Sequence, residues 1–559
     1  MTISLSTAVA AATVLLLIYR LSRIGQRPKG YPPGPPTLPL IGNLHQMPKT
    51  KAHLQFQKWA EEYGPVYSLI LGTKVMIVLS SDQAIKDLLD KKSNIYSSRP
   101  EVYLGNIVSG NQRMLLMEYG DRWRMPRRLI HNSLNIKAAR TYVPYQDLEN
   151  KAMLLAILES PDNFADHIRR YANSLTTQML FGFRTTSIDD PKLKRLFRAF
   201  ANFSDVMGSE TGALLDVFPI LRYLPDALLP MRKHAKELHR EEADLFVGHY
   251  RDTKRKLREG KAKASTPRMS DLVVKPCLCI DLVRAQEEQG FSDLTAAYVS
   301  GSLLEAGSDT TSATLVGFVQ AMLIFPEVAR KAQAELDRVC GDRLPDLNDF
   351  PDLPYIRGCM KETMRWMPTV ILGVPHAVIC DDEYMGYEIP KGAGVMWNVW
   401  AVSNDPKRHP DPRRFDPSRW AHDNQTSVEA ANNPDASKRD HFLFGAGRRL
   451  CQGMHIADRS LFLAMSRLLW AFDFERAIDE STGKEIIPDM RELVPDNGMF
   501  VQPEPFKADI KPRSVWKAKR VREEWSKMTE LLDEEMQWKA VPEGLIWNDY
   551  EPAGASMKA

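Results

Sequence analysis

The sequence predicts a mainly α-helical protein with a minor β-sheet. Three observations carry that class. Most segments from about 121 to 370 repeat their apolar residues at helical spacing. Strand-like runs are few and short: Val66–Leu71, Val75–Leu79, Val374–Ile379 and Tyr387–Ile389. The longest helical pattern, from about Leu294 to Ile324, is apolar nearly all round, as a buried helix is. A chain of 559 residues can enclose a cofactor. Length alone suggests about three to four domains, but the motifs below argue for one large catalytic domain. The 74 basic and 71 acidic side chains leave a net charge of +3, which gives no footprint for nucleic acid. Cysteines at 277, 279, 340, 359, 380 and 451 are too sparse for a disulfide scaffold and fit a reducing compartment. Cys277-x-Cys279 is too tightly spaced for a zinc knuckle and reads as structural. There is no internal repeat.

Along the chain, Ile3–Tyr19 is apolar or small and uncharged. About 17 residues is the lower limit for a membrane-spanning helix. Arg20, Arg23, Arg27 and Lys29 follow, so the body after them should face the cytoplasm. No charged segment precedes the apolar stretch, which favours an uncleaved anchor over 1–20 against a cleaved signal peptide. A basic, proline-rich linker follows over 21–40, with Tyr31–Pro39 a stiff extended strap. The runs flanking Gly72-Thr-Lys read as a β-hairpin. Trp123-x-x-x-Arg127 puts an indole and a guanidinium one helical turn apart. Arg251–Asp271 is charged and contains Gly260, Ser265 and Pro267, so it reads as a surface loop.

Ser292 is a good N-cap for the long helix. About 30 residues at 1.5 Å each reach ~45 Å, enough to cross a domain. Inside it, Ala306-Gly-Ser-Asp-Thr-Thr311 weakens the helix with a glycine and three hydroxyl residues. Such a run marks either a functional site or a close helix–helix contact. Glu362-x-x-Arg365 lies on one face of a helical stretch ended by Pro368. Beyond Arg513, Val521, Trp525, Met528, Leu532 and Met536 predict an amphipathic helix that packs on its own domain, within an extension over 514–559.

The most informative run is Phe444-Gly-Ala-Gly-Arg-Arg-Leu-Cys-Gln-Gly453. Its glycines permit tight turns and close approach to a flat ligand. The cations Arg448 and Arg449 beside Cys451 should favour a thiolate, and a thiolate can be the axial ligand of haem iron. The pattern Phe-x-x-Gly-x-Arg-x-Cys-x-Gly resembles the haem-binding loop of the cytochrome P-450 family of haem-thiolate monooxygenases. Phe444, Gly447, Arg449, Cys451 and Gly453 match it. Ala306-Gly-x-Asp-Thr310 resembles the same family's oxygen-binding segment. Phe415-Asp-Pro-Ser-Arg-Trp420 resembles its Phe-x-Pro-x-Arg-aromatic segment, with Ser418 where a glutamate is common. The resemblance covers about residues 30 to 513.

What the resemblance implies is a cytochrome P-450 fold with the long central helix over the haem, and a catalytic domain over 41–513. Cys451 would ligate the iron of haem b. Trp123, Arg127, His376 and Arg449 would partner its propionates. Thr310 would donate a hydrogen bond during oxygen activation, and Asp309 would relay protons from solvent. Glu362, Arg365 and Arg419 would form a structural cluster. One atom of dioxygen would enter an apolar small-molecule substrate. Pocket candidates are Val299, Ala306, Val370, Ile371, Leu372, Met499 and Phe500, with loop residues between Val102 and Leu116. Nothing here resembles a nicotinamide or flavin domain, so a separate NADPH-cytochrome P-450 reductase should supply electrons. Arg122, Arg124, Arg127, Arg128 and Arg448 could form its docking face. The anchor implies a single-pass protein of the endoplasmic reticulum membrane with a cytosolic body. A loose similarity to fungal microsomal members suggests tailoring of secondary metabolites. Two alternatives stand beside this: a haem-thiolate isomerase or dehydratase, and a membrane haem sensor without enzymatic activity. Neither would need Asp309 and Thr310 for oxygen-linked proton delivery.

Overall fold

The computed structural model describes residues 13, 15, 16, 19, 21–263, 275–494 and 499–545. Its longer helices are α1 Ala52–Tyr63, α2 Asp121–Leu134, α3 Val143–Glu159, α4 Phe164–Phe181, α5 Pro191–Met207 and α6 Pro230–Lys263. They continue with α7 Leu278–Gln289, α8 Asp293–Ile324, α9 Pro326–Val339, α10 Pro354–Trp366, α11 Met454–Ala471 and α12 Val515–Thr529. The sheet is minor, as expected. β1 Val66–Leu71 and β2 Lys74–Leu79 form the antiparallel hairpin, with Val66 opposite Leu79. β3 His376–Ala377 and β6 Gly394–Trp397 complete a four-stranded sheet in the order β1-β2-β6-β3. β4 Asp382–Tyr384 pairs with β5 Tyr387–Ile389 beside it.

α8 is the axis of the molecule. Ser292 caps it by accepting from the Thr295 N–H, and Pro326 follows its end. Its C-terminal half packs with α4, α9, α10 and α11 in the largest apolar cluster; its N-terminal half packs with α6 and α7 in a second. The hydroxyl-rich stretch does not interrupt the helix. Ser308 donates to Leu304 O at 2.6 Å, Thr310 to Ala306 O at 2.8 Å and Thr314 to Thr310 O at 2.8 Å, so the hydroxyls are satisfied by the helix's own carbonyls. The small residues also serve close packing. A Cβ on Gly307 would meet Thr176 Oγ1 of α4 at 2.7 Å, and Asn173 of α4 donates to Ser308 Oγ at 3.1 Å.

Two expectations are corrected. Residues 251–263, read as loop from their charge, are the end of α6; residues 264–274 lie outside the described residues. Under the charge runs a helical stripe, Phe246, Tyr250, Thr253 and Leu257, all buried. Arg251 and Lys254 add ion pairs to Asp293 of α8 at 3.0 and 2.9 Å. The C-terminal helix stops at Thr529, so Leu532 and Met536 are not on it. Met536 takes φ +60°, and Leu532 bridges back to Trp538. The tail does pack on its own domain: Trp538 Nε1 donates to Gln178 Oε1 of α4 at 2.6 Å.

The anchor expected over 1–20 lies mostly outside the described residues. Among those described, no single helix is long and apolar enough to cross a membrane. The proline strap is docked on the sheet. Ser68 of β1 donates from its N–H to Pro33 O at 2.7 Å and from its hydroxyl to Pro32 O at 2.6 Å, while Arg27 holds Gly34 O at 2.9 Å.

Candidate active site

The Cys451 loop leads directly into α11, with Gly453 at its N-cap. Cys451 N–H closes the loop on Phe444 O at 2.9 Å. Phe444 packs against the ring of His441 at 5.2 Å between centroids. Gly447 is obligatory: its φ is +59° and a Cβ would lie 2.0 Å from Leu89 O. Its N–H donates to Asp90 Oδ1 at 2.5 Å. Burial pushes the Cys451 thiol up; the N–H groups of Gly453 and Met454 and the charge of Arg127 pull the other way. The cation acting on the sulfur is therefore Arg127, not Arg448 or Arg449 as the loop sequence suggested. Arg448 turns outward to bond the Tyr119 hydroxyl, and Arg449 lies 4.2 Å over the ring of Trp123. Arg127 faces inward too, donating to Leu450 O at 2.5 Å, so it drops out of the expected docking face; Arg122, Arg124, Arg128 and Arg448 remain exposed there.

Around this loop the fold gathers positive charge. Arg449 donates to Ser97 O at 2.9 Å and Met117 O at 2.6 Å. Arg99, which the sequence reading missed, donates to Leu115 O at 2.9 Å and to Val374 O and Pro375 O at 2.5 and 2.8 Å. His376 Nδ1 meets Tyr96 O at 2.6 Å, which makes Nδ1 the donor, and its buried Nε2 has no partner. Burial, then the charges of Arg99 and Arg449, hold His376 well below the usual histidine range. Burial pulls Arg449 down to about 9 and Arg127 to about 10. No carboxylate among the described residues is ion-paired with Arg99, Arg127 or Arg449. Buried Arg99 and half-buried Arg127 and Arg449, lacking counter-charge beside a cysteine, fit a planar group with two carboxylates and a thiolate-binding metal. Haem is such a group.

On α8, Ala306 is exposed and Asp309 and Thr310 are partly so, although the helix runs through the core; interior space opens at this point. Burial pushes the Asp309 carboxyl up to about 6, against the pull of Arg169. Of the apolar candidates, Val299, Val370 and Ile371 are buried, and Leu372, Met499 and Phe500 partly. Val501 N–H donates to Thr369 O at 2.8 Å, which holds the 370–372 and 499–500 segments together.

The expected structural cluster is present and apart from this site. Arg365 grips Glu362 with two bonds, at 2.8 and 2.7 Å. Asp416 N–H, Arg419 Nε and Trp420 Nε1 also donate to Glu362, at 2.9, 3.3 and 3.0 Å.

A model of the family described as cytochrome P-450 matches residues 32–505, most of the chain. The chain belongs to the cytochrome P-450 family. It is 61% identical to the cytochrome P-450 monooxygenase virE of Hypocrea virens, over 97% of this chain and 96% of that one. It is 56% identical to the cytochrome P-450 monooxygenase fogE of Aspergillus ruber, over 98% and 99%. A zebrafish cytochrome P-450 solved with abiraterone shares the fold, with a TM-score of 0.62 at 23% identity, covering 83% of this chain and all of that one. The chain is thus an oxidoreductase of a family that holds haem through a cysteine thiolate.

Proposed function

We propose that this cytochrome P-450 monooxygenase inserts one oxygen atom of dioxygen into an apolar small molecule, as a tailoring step in secondary metabolism. The observation that carries the reading is the Cys451 loop set among buried and half-buried arginines that have no acid partner among the described residues. Cys451 Sγ would hold the haem iron. Arg99, Arg127, Arg449 and the Trp123 indole would hold the propionates, with His376 as a further partner. Bound haem supplies dioxygen activation through its thiolate-ligated iron. Thr310, whose hydroxyl now bonds Ala306 O, is placed to turn and donate into the space beside Ala306. Asp309 holds and releases protons near neutral pH. Val299, Val370, Ile371 and Phe500 exclude water and bind the substrate by apolar contact.

Electrons come from an NADPH-cytochrome P-450 reductase that docks on exposed Arg122, Arg124, Arg128 and Arg448. The body sits on the cytosolic face of the endoplasmic reticulum. The uncharged stretch Ile3–Tyr19 and the cations after it support this topology, and protease added to sealed microsomes should digest the body. The deciding experiment is Cys451→Ser. It should abolish the carbon monoxide difference band of thiolate-ligated ferrous haem, while Cys359→Ala keeps it. A normal band in Cys451→Ser sinks the assignment.

A further inference from the structure

The pocket expected from sequence is apolar, yet a charged cluster stands at its edge. Arg113 lies in the loop between the short helix Tyr103–Val108 and α2. One Nη of its guanidinium bonds Glu242 of α6 and the other bonds Glu305 of α8. The guanidinium carbon sits 3.8 Å over the ring of Phe203 on α5. The three side chains are only 2%, 2% and 3% exposed. Two carboxylates share one cation, and burial pushes the Glu305 carboxyl up against the pull of Arg113.

The cluster is not satisfied. Arg113 Nε, Glu242 Oε1 and Glu305 Oε1 are buried without a hydrogen-bond partner, as is Ser302 Oγ, one turn before Glu305 on α8. Tyr298, whose hydroxyl meets His239 Nδ1 at 3.0 Å, also bonds to Glu242, so the atoms left most clearly open are Arg113 Nε and Glu305 Oε1. Buried polar atoms nearly always have a partner, so unpartnered atoms gathered here, donor and acceptors together, point to a missing one. Their position says what it belongs to. Glu305 immediately precedes Ala306, where α8 borders the interior space, and its carboxylate feels that of Asp309 one turn on. Phe200, one turn from Phe203, packs on Phe500 of the apolar wall at 5.3 Å between centroids. The same edge of α5 therefore covers both the charged cluster and the apolar pocket.

We propose that Arg113, Glu242 and Glu305 are the polar end of the substrate pocket and recognise a hydroxyl group on an otherwise apolar substrate. The inference rests on the monooxygenase reading above. A hydroxyl accepts from Arg113 Nε and donates to a glutamate oxygen at once. An ammonium accepts nothing and is repelled by the guanidinium. A carboxylate is repelled by two glutamates. A bare hydrocarbon leaves every atom unpaired. The atoms are covered, so binding a hydroxyl here requires the Arg113 side chain to shift.

The test uses the full-length, haem-loaded enzyme and ligands that differ by one hydroxyl: 4-heptylphenol against heptylbenzene, and 1-decanol against decane, with decyltrimethylammonium, which has no lone pair for the iron, as the cationic control. Affinities are read by the ferric Soret shift and, independently of the haem, by calorimetry. In at least one pair the hydroxyl member should bind about tenfold tighter or more, which is ~1.4 kcal/mol. The triple variant Arg113→Met/Glu242→Leu/Glu305→Leu removes the whole network, a change that buried ion clusters often tolerate. It should keep hydrocarbon affinity and lose the preference. If it does not fold, Glu305→Gln is measured instead, and the preference should fall about threefold or more. Equal binding in both wild-type pairs, a preference that survives the variants, or decyltrimethylammonium binding tighter than decanol overturns the proposal. Equal binding would mean that the cluster holds ordered water only. Loss of haem binding by the wild type is a separate failure: it strikes the monooxygenase reading and leaves the calorimetric comparison intact.

Discussion

Two buried Arg–Glu clusters of this chain look alike in composition and differ in their accounting. In Glu362–Arg365–Arg419, both carboxylate oxygens of Glu362 are taken: Oε1 by Arg365, Arg419 and the Asp416 N–H, Oε2 by Arg365 and the Trp420 indole. In Arg113–Glu242–Glu305, each carboxylate keeps an oxygen without a partner. The first contains a single acid facing two arginines, the second two acids on one. A fully satisfied network in a low-dielectric interior rigidifies what it joins. A half-satisfied one is costly there, and persists where something else supplies the missing bonds.

The largest expected effect breaks the satisfied cluster. Glu362→Ala strands the Arg365 guanidinium in a place where it is 0% exposed. Removing one partner of a buried pair costs roughly 3–5 kcal/mol, comparable to a typical total stability of roughly 5–15 kcal/mol. Little haem-loaded protein should be recovered, as read by the carbon monoxide band per milligram. Full recovery would show that the network does not hold the scaffold.

A third cluster sharpens the contrast at intermediate size. Glu149 accepts from Arg170 at 2.7 Å, Gln178 at 2.8 Å and Arg184 at 2.5 Å, and Gln178 Oε1 in turn accepts from Trp538 of the C-terminal tail. Trp538→Phe keeps an aromatic ring and leaves Gln178 Oε1 unpaired. The cost should be about 1–3 kcal/mol, that of one unsatisfied buried acceptor, read as a lower denaturation midpoint. An unchanged midpoint would make the tail a passive cover.

These clusters also mark how far the sequence could be read. Cys451, Gly447, the Glu362-x-x-Arg365 pair and the Gly72 hairpin are local patterns, with spacings of a few residues, and each stands where it was expected. Ser292 as a cap and the extent of α8 were legible for the same reason. Arg99 was not, because its carbonyl partners on the 374–375 segment are 275 and 276 residues away. Nor was the Arg113 cluster, whose members are 129 and 192 residues apart in the chain. An arginine in a loop carries no sign of the acids it will meet. The end of α6 was misread for a different reason: its charges masked a buried stripe at helical spacing.

The smallest effect concerns Asp309, a partly buried acid without an ion pair among the described residues, whose cost should appear as a pH dependence. Its ordinary value of 3.8 is raised to about 6 in the fold, chiefly by burial. As pH rises from about 4, the unfolded chain loses this proton first, while the folded chain must keep it or bury a charge. The folded state therefore loses stability through the window from about 4 to 6, and the full penalty stands above it. Asp309→Asn cannot ionise and escapes the penalty. Partial exposure of the side chain reduces its size to something on the order of 1 kcal/mol. The midpoint of Asp309→Asn should match that of the wild type near pH 3.5, below the window, and exceed it by about 1–2 °C at pH 7.5. A gain of this kind at the carboxyl proposed to relay protons, alongside poorer coupling of reducing equivalents to product, would be the mark of a strained functional group. A difference that is flat with pH, or a variant less stable at pH 7.5, would show that Asp309 finds a partner in solution and belongs with the satisfied residues.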